Sequence, residues 1–172
     1  MENRSRFIRP LLARAQVLLV LIVSGISSPA DCMEVPSIME ALKEIPSAEI
    51  FCQAVRGGEI EGLLRGEGPF TVFVPVEKAF ADLPDETFKM LFDPANREEL
   101  DGLLASHVLW GRIMSTEMKQ AGCSAVALNE EILAMREING SLFVQNARIV
   151  KADIRCANGV IHLIDKVILG GD

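Results

Sequence analysis

His107 and His162 are the only two histidines of this chain, and imidazole is the side chain best suited to move a proton or hold a metal near neutral pH. Either role needs partners. A metal needs further ligands at short spacing, and a nucleophile needs a base with a group to orient it. Neither SHVLWG, from Ser106 to Gly111, nor VIHLID, from Val160 to Asp165, supplies them. Both histidines are therefore expected to be structural: His107 as a core imidazole bonded to backbone, and His162 on the opposite side of its strand from Ile161 and Leu163. Asp165 receives the same reading. Burying its carboxylate unpaired would cost about 3 kcal/mol, so if it lies inside it must accept hydrogen bonds. Pairs such as Glu98-Glu99 and Glu130-Glu131 are adjacent and point to different faces, so they form no acid/base pair by themselves. The turn Gly66-Glu67-Gly68-Pro69 precedes a strand and lacks the Lys-Ser/Thr of a phosphate loop. No catalytic residue, cofactor or metal is expected.

The cysteines speak about compartment. Arg4, Arg6, Arg9 and Arg14 precede an apolar run from Val17 to Ile26, and Ser28-Pro29-Ala30 follows. That order is the order of a secretory signal peptide, here residues 1–30 with cleavage after Ala30. The apolar run is about half of the roughly 20 residues that span a bilayer, which disfavours a retained anchor and a stable membrane span. Asp31 before Cys32 disfavours a lipid attachment. Residues 31–36 then form a short N-terminal segment. An oxidising destination makes disulfides available to Cys32, Cys52, Cys123 and Cys156, with three full pairings open. Cys52, on an apolar helix face, suits a free core thiol as well as a bridge, and Cys123 with Cys156, both flanking strands, is the pair to test first.

Removing residues 1–30 takes four of the 17 basic and one of the 24 acidic residues, which leaves 13 and 23. An acidic surface of that kind argues against a polyanionic partner, and against nucleic acid in particular, whose phosphates are bound by clustered Lys and Arg. About 140 residues remain, one domain with one core.

These residues must be carried by identifiable elements. Ser37 caps a helix with Ile38, Ala41, Leu42 and Ile45 at helical spacing, and Pro46-Ser47 restarts a second one through Ile50, Phe51, Ala54 and Val55 up to Gly57-Gly58. Ile60–Leu64 is a short apolar piece, and Phe70–Val74 a strand. Asp93-Pro94 opens a helix that carries Leu100, Leu103, Leu104, His107 and Val108 on one face and closes at Gly111. From Ala125 the pattern shifts to short alternating runs, with Asn139-Gly140 and Asn158-Gly159 as hairpin turns in which both central residues want positive φ. Asn139-Gly140-Ser141 also fits a glycosylation acceptor, although the turn explains it. Helices first and antiparallel strands later give an α+β domain. The strand from Val160 should run through the centre of the sheet.

Three stretches carry a family likeness: TVFVPVEKAF from Thr71 to Phe80, SHVLWG from Ser106, and ARIVKADIRCANGVIHLIDKVIL from Ala147 to Leu169. In that order they resemble the signature boxes of the fasciclin domain, the beta-Ig-H3 type of secreted adhesion module, over residues 37–170. The resemblance implies a fasciclin-like fold with N-terminal helices packed on an antiparallel β-sheet wedge. It also implies structural roles for Thr71, Phe73, Pro75, Phe80, His107, Asn158, Gly159, His162 and Asp165. Asp153-Ile154 matches a pair implicated in receptor contact in animal members, against the plainer reading of a strand end with a solvated carboxylate and a core isoleucine. Two departures weaken the carry-over. Ser106 replaces the tyrosine of a Tyr-His pair linked to adhesion, and Val76 stands where a threonine would cap the following helix, with Glu77 and Lys78 after it. The implied function is an exported, non-enzymatic adhesion or protein-interaction module at the cell surface, extracellular matrix or periplasm. Its partner would be a protein or a cell-surface or matrix component. The alternative is an enzyme or small-ligand carrier with a pocket between helices and sheet.

Overall fold

A computed structural model describes residues 35–120 and 123–169. The expected signal segment and cleavage site, and Cys32, lie outside the described residues. Helix α1 (Ile38–Glu44) starts where the sequence asks it to. The Glu40 N–H donates to Ser37 Oγ at 3.4 Å and the Ser37 N–H donates to the Glu40 carboxylate at 2.8 Å, a reciprocal cap for two otherwise orphaned donors. Pro46 opens a short 3-10 turn before α2 (Glu49–Val55). Gly57 reverses the chain at a φ of +76°, and the apolar piece beyond it is a helix, α3 (Glu59–Leu64).

Strand β1 (Phe70–Pro75), buried at every position, leads into α4 (Glu77–Ala81), α5 (Asp85–Leu91) and α6 (Arg97–Ala105). Asp93 does cap, its carboxylate accepting the Ala95 N–H at 2.9 Å, but it caps a 3-10 turn that runs into α6. The helix ends earlier than the apolar spacing predicts. Val108–Trp110 forms strand β2 instead, paired antiparallel with β1 from Phe70↔Trp110 to Val72↔Val108. A branched and aromatic triplet gains a ladder and burial there that a fourth helical turn could not offer.

The remaining elements are α7 (Ser115–Met118), β3 (Ser124–Val126), β4 (Ile132–Ile138), β5 (Ser141–Val144), β6 (Ala147–Cys156) and β7 (Gly159–Ile164). The sheet order is β2-β1-β7-β6-β5-β4-β3. One pairing departs from the antiparallel expectation: β1 and β7 run parallel from Phe70↔Gly159 to Pro75↔Ile164, so the sheet is mixed. The two outer strands meet again. Leu109 bridges Ala127, and the Leu128 N–H donates to the Val108 carbonyl at 2.9 Å, which curls the sheet back on itself. Closure removes the free edges at which sheets aggregate.

Two apolar clusters follow from the two faces. Phe73, Leu109, Leu133, Met135, Val144, Ile149 and Ile164 point inside the curled sheet, joined by Met118 of α7. Val72, Val74, Val108, Ile161 and Leu163 point outward beneath α1, α2, α4 and α6, where Ile38, Leu42, Phe51, Phe80 and Leu104 meet them. Strand alternation thus divides one short sequence between two cores. Each fully buried Leu, Ile or Phe contributes about 1.5–3 kcal/mol. Among the described residues no helix is long and apolar enough to cross a membrane.

Val76 sits at the N-cap of α4 in extended conformation, with no side-chain hydrogen bond to the helix start, and Glu77 follows it in the first turn. Val76→Thr should supply the missing acceptor and raise the unfolding free energy by about 0.5–1 kcal/mol. A urea midpoint at or below that of the parent chain would show that the valine methyl, half-buried against the outer cluster, is worth more than the cap.

Candidate functional site

The turn between β6 and β7 is tied to three other segments through one side chain. Cys156 pairs with Gly159, so the two turn residues are Ala157 and Asn158, and neither has a positive φ. The expectation of positive φ at both Asn158 and Gly159 does not hold here, because each residue has a different task. Asn158 Oδ1 accepts the Ile38 N–H at 2.9 Å, while Nδ2 donates to the Leu64 carbonyl at 2.7 Å and the Gly66 carbonyl at 2.9 Å. Its own carbonyl accepts the Phe70 N–H at 3.0 Å. One side chain thereby joins the start of α1, the end of α3 and the turn before β1. Gly159 has no room for a side chain: a Cβ there would lie 2.1 Å from the Phe70 carbonyl oxygen and 2.7 Å from Ile38 Cδ1. At Asn139-Gly140 the expectation does hold, with φ of 52° and 77° in the exposed turn between β4 and β5.

Asp153 stands in an irregular stretch of β6, where the register against β7 shifts between Ile149, Lys151 and Ile154. Its φ is +60°. The distortion turns the carboxylate towards Ser115, whose N–H and hydroxyl donate to it at 2.9 and 2.6 Å. The Asp153 N–H donates to His162 Nδ1 at 3.2 Å, and His162 Nε2 lies 2.9 Å from the Ile113 carbonyl. That carbonyl can only accept, so Nε2 carries the proton and the ring is neutral. Burial pushes the Asp153 carboxyl up, but the Ser115 hydroxyl and N–H outweigh it and hold the group below the usual carboxylate range. Burial likewise lowers His162.

Serine, histidine and aspartate therefore do meet, which the sequence did not reveal because Ser115 lies 38 residues from Asp153. They meet in the wrong order for nucleophilic catalysis. A triad needs the imidazole between hydroxyl and carboxylate. Here the hydroxyl donates its hydrogen bond directly to the carboxylate, and both ring nitrogens are taken by backbone. The cluster instead ties the loop before α7 to β6 and β7. Thr71 extends it: fully buried, it donates to the Gly111 carbonyl at 2.8 Å and accepts the Ile113 N–H at 2.9 Å.

This arrangement gives the Asp153-Ile154 pair intramolecular work. Ile154 pairs with Ile161 and packs partly buried against the outer cluster. Asp153→Ala should lower the unfolding free energy by about 1–2 kcal/mol through the loss of the Ser115 bonds. A melting curve that coincides with that of the parent chain would instead leave the carboxylate available to a partner.

His107 lies just past α6 rather than on it. Its Nδ1 donates to the Leu103 carbonyl at 2.8 Å, and Nε2 accepts the Ile168 N–H at 3.0 Å. Complete burial lowers its pKa to about 4, so the ring is neutral. Ser106, in the tyrosine's place, is buried and accepts from Asn129 Nδ2 at 2.7 Å. The Phe73 ring lies 5.6 Å from His162, Phe80 meets Phe92 edge-on at 6.3 Å, Pro75 ends β1, and half-buried Asp165 accepts the Arg148 N–H at 2.7 Å.

The proposed bridge between Cys123 and Cys156 is not formed, and both are free thiols, as is Cys52. The reason lies in the two cores: Cys156 packs in the outer cluster and Cys123 against the inner one. Burial raises the Cys156 thiol to about 11, which keeps it protonated and a poor nucleophile. Among the described residues no group of three metal-ligating side chains converges. Surface depressions include one of about 170 Å³ beside Glu131 and Lys166 and one of about 240 Å³ between α1 and α2, and none of His107, His162 or Cys156 lines either.

The sequence model of the fasciclin domain matches residues 46–170; α1 precedes that stretch yet packs in the same outer cluster. Protein sll1483 of Synechocystis sp. is 34% identical over 146 residues, covering 85% of this chain and 80% of its own length. Transforming growth factor-beta-induced protein ig-h3 of Sus scrofa is 33% identical over 133 residues. This chain spans only 19% of that relative's length. The fold is similar to a FAS1 domain pair from the insect cell adhesion molecule Fasciclin I, with a TM-score of 0.70 at 18% identity over 79% of this chain and 51% of that one.

Proposed function

This chain belongs to the fasciclin domain family, and from that premise we propose that it is an exported, non-enzymatic module for adhesion or protein contact. It acts at the cell surface, matrix or periplasm, as a single domain over residues 37–170 behind a signal peptide of residues 1–30. One observation carries the non-enzymatic reading. The groups with reactive chemistry, Ser115, Asp153, His162 and His107, are joined to one another or to backbone, and so hold the fold instead of facing a cleft. The order of charged, apolar and small residues in residues 1–30 supports an extracytoplasmic setting.

The export half is tested at the N-terminus. Sequencing of the exported protein is expected to begin at Asp31, because Ser28 and Ala30 are the small residues a signal peptidase accepts; a start at Met1 overturns it. The contact half is tested by cross-linking in intact cells, with an adduct to a surface, matrix or envelope component expected. Recovery of the chain in the cytosol, without such an adduct, overturns the reading.

A further inference from the structure

Charge is divided unevenly along this chain. Residues 37–105, which hold α1 to α6, carry 14 acidic and six basic side chains, whereas residues 106–169 carry six acidic and seven basic. Two of the latter are placed by strand register. Arg136 on β4 lies opposite Phe143 on β5, and Phe143 lies opposite Arg148 on β6. Paired residues share a face of the sheet, and it is the outer face here, since Met135, Val144, Ala147 and Ile149 point into the inner cluster. Adjacent strands are about 4.8 Å apart, so the two arginines bracket the ring at a separation of about 10 Å. Both are exposed, and among the described residues the two ion pairs lie elsewhere, at Arg65–Glu61 and Arg97–Asp101. Asp165 accepts the Arg148 backbone N–H without an ion pair to its guanidinium.

The same outer face continues into an apolar row. Val126 and Ile132 are Cα partners on β3 and β4, 55% and 65% exposed. One step along the Leu109↔Ala127 bridge sets Trp110 opposite Val126; it is 62% exposed and rests on Phe70 at 5.0 Å. The helices pack over β1, β2 and β7 and leave this row open.

We propose that this face binds an acidic polysaccharide of the uronic-acid type, with sugar rings lying on Trp110 and Phe143 and carboxylates held by Arg136 and Arg148. The inference rests on the extracytoplasmic reading above and names the class of partner. Charge complementarity carries it: two unpaired guanidinium forks, each able to grip a carboxylate with two hydrogen bonds, stand on the less acidic part of an acidic molecule. An extended peptide normally adds itself to a sheet edge, and the curled sheet offers none. The net charge of −7 works against polyanions in general, but the residues paired on this face, Ser124↔Ala134, Val126↔Ile132, Arg136↔Phe143, Ile138↔Ser141 and Phe143↔Arg148, include no carboxylate; nucleic acid shares the polymer's charge and is told apart by the DNA eluent below. A second copy docking face to face would oppose arginine to arginine.

The test passes the exported protein over polygalacturonate resin at low salt, with dextran resin as the neutral control. Free polygalacturonate, polyglutamate and single-stranded DNA are the eluents, and each variant's melting curve is recorded. The parent chain is expected to be held on polygalacturonate and not on dextran, and to elute with free polygalacturonate in preference to the other two. The double variant Arg136→Gln, Arg148→Gln should bind at least about tenfold more weakly without change in melting, Trp110→Ala and Phe143→Ala several-fold more weakly, and Arg56→Gln on α2 as the parent does. The proposal is overturned by a parent chain that is not held, by a double variant that binds unchanged, or by polyglutamate or DNA eluting as well as the uronate polymer. Because export is read separately from the N-terminus, failure of the polymer and failure of the extracytoplasmic reading give different results.

Discussion

Replacing Asn158 with leucine is expected to lower the unfolding free energy by about 3–5 kcal/mol, as the unpaired groups it leaves would each cost about 1–3 kcal/mol. The buried Asn158 side chain satisfies the Ile38 N–H and the Leu64 carbonyl, both within the outer cluster, and the Gly66 carbonyl nearer the surface. Leucine is of similar size, so the core stays filled while these backbone groups lose their partner. Asn158→Asp separates the two halves of the side chain. It keeps an acceptor for the Ile38 N–H but turns a second oxygen towards two carbonyls, so it too should be severely destabilised. Urea unfolding of both variants checks this. A loss below about 1 kcal/mol in either would mean that water replaces the side chain and that the junction of α1, α3 and β1 does not depend on it.

Local chemistry was readable in the sequence wherever both partners lie within a few residues. The helix cap at Ser37, the Asn139-Gly140 turn and the helix stop at Gly57 all appear in the structure as the residue types require. Each histidine engages backbone through both ring nitrogens, His107 at Leu103 and Ile168 and His162 at Asp153 and Ile113. What was not readable involves partners far apart. The end of α6 depends on β2 finding β1 about 40 residues away, the parallel pairing of β1 with β7 closes about 90 residues, and Ser115 meets Asp153 across 38. Asn158-Gly159 shows the limit most clearly. Its composition is that of a turn needing positive φ, yet the asparagine is required for three hydrogen bonds and the glycine for the absence of a Cβ against Phe70. Two different physical demands can select the same dipeptide, and only the tertiary surroundings distinguish them.

The second large effect is expected on acidification. In the folded protein His107 and His162 are neutral, each with one ring nitrogen donating to a carbonyl and the other accepting a backbone N–H. Burial, the leading cause in both, lowers His162 and takes His107 from 6.5 to about 4, while Leu103 and the Glu131 carboxylate pull His107 weakly the other way. In the unfolded chain both return to about 6.5. Between those values the unfolded state binds protons that the folded state refuses, so stability is fully present above about pH 6.5 and falls as the pH drops towards 4. For His107 alone, the fall from 6.5 to about 4 corresponds to about 3 kcal/mol, and His162 adds to it. Asp153 does not confuse this window. Its carboxyl is lowered in the fold, so its contribution is present above about pH 4 and is lost only below that, as the pH falls through its folded value. Urea unfolding at pH 7, 5.5 and 4.5 should therefore show a progressive loss, steepest below pH 6. His107→Gln, which cannot titrate, should be less stable than the parent chain at pH 7 and yet show a distinctly flatter dependence on pH. A parent chain equally stable at pH 7 and 4.5 would mean that the buried imidazoles accept protons in place, and that the bonds to Leu103, Ile168, Asp153 and Ile113 are not what fixes their neutral form.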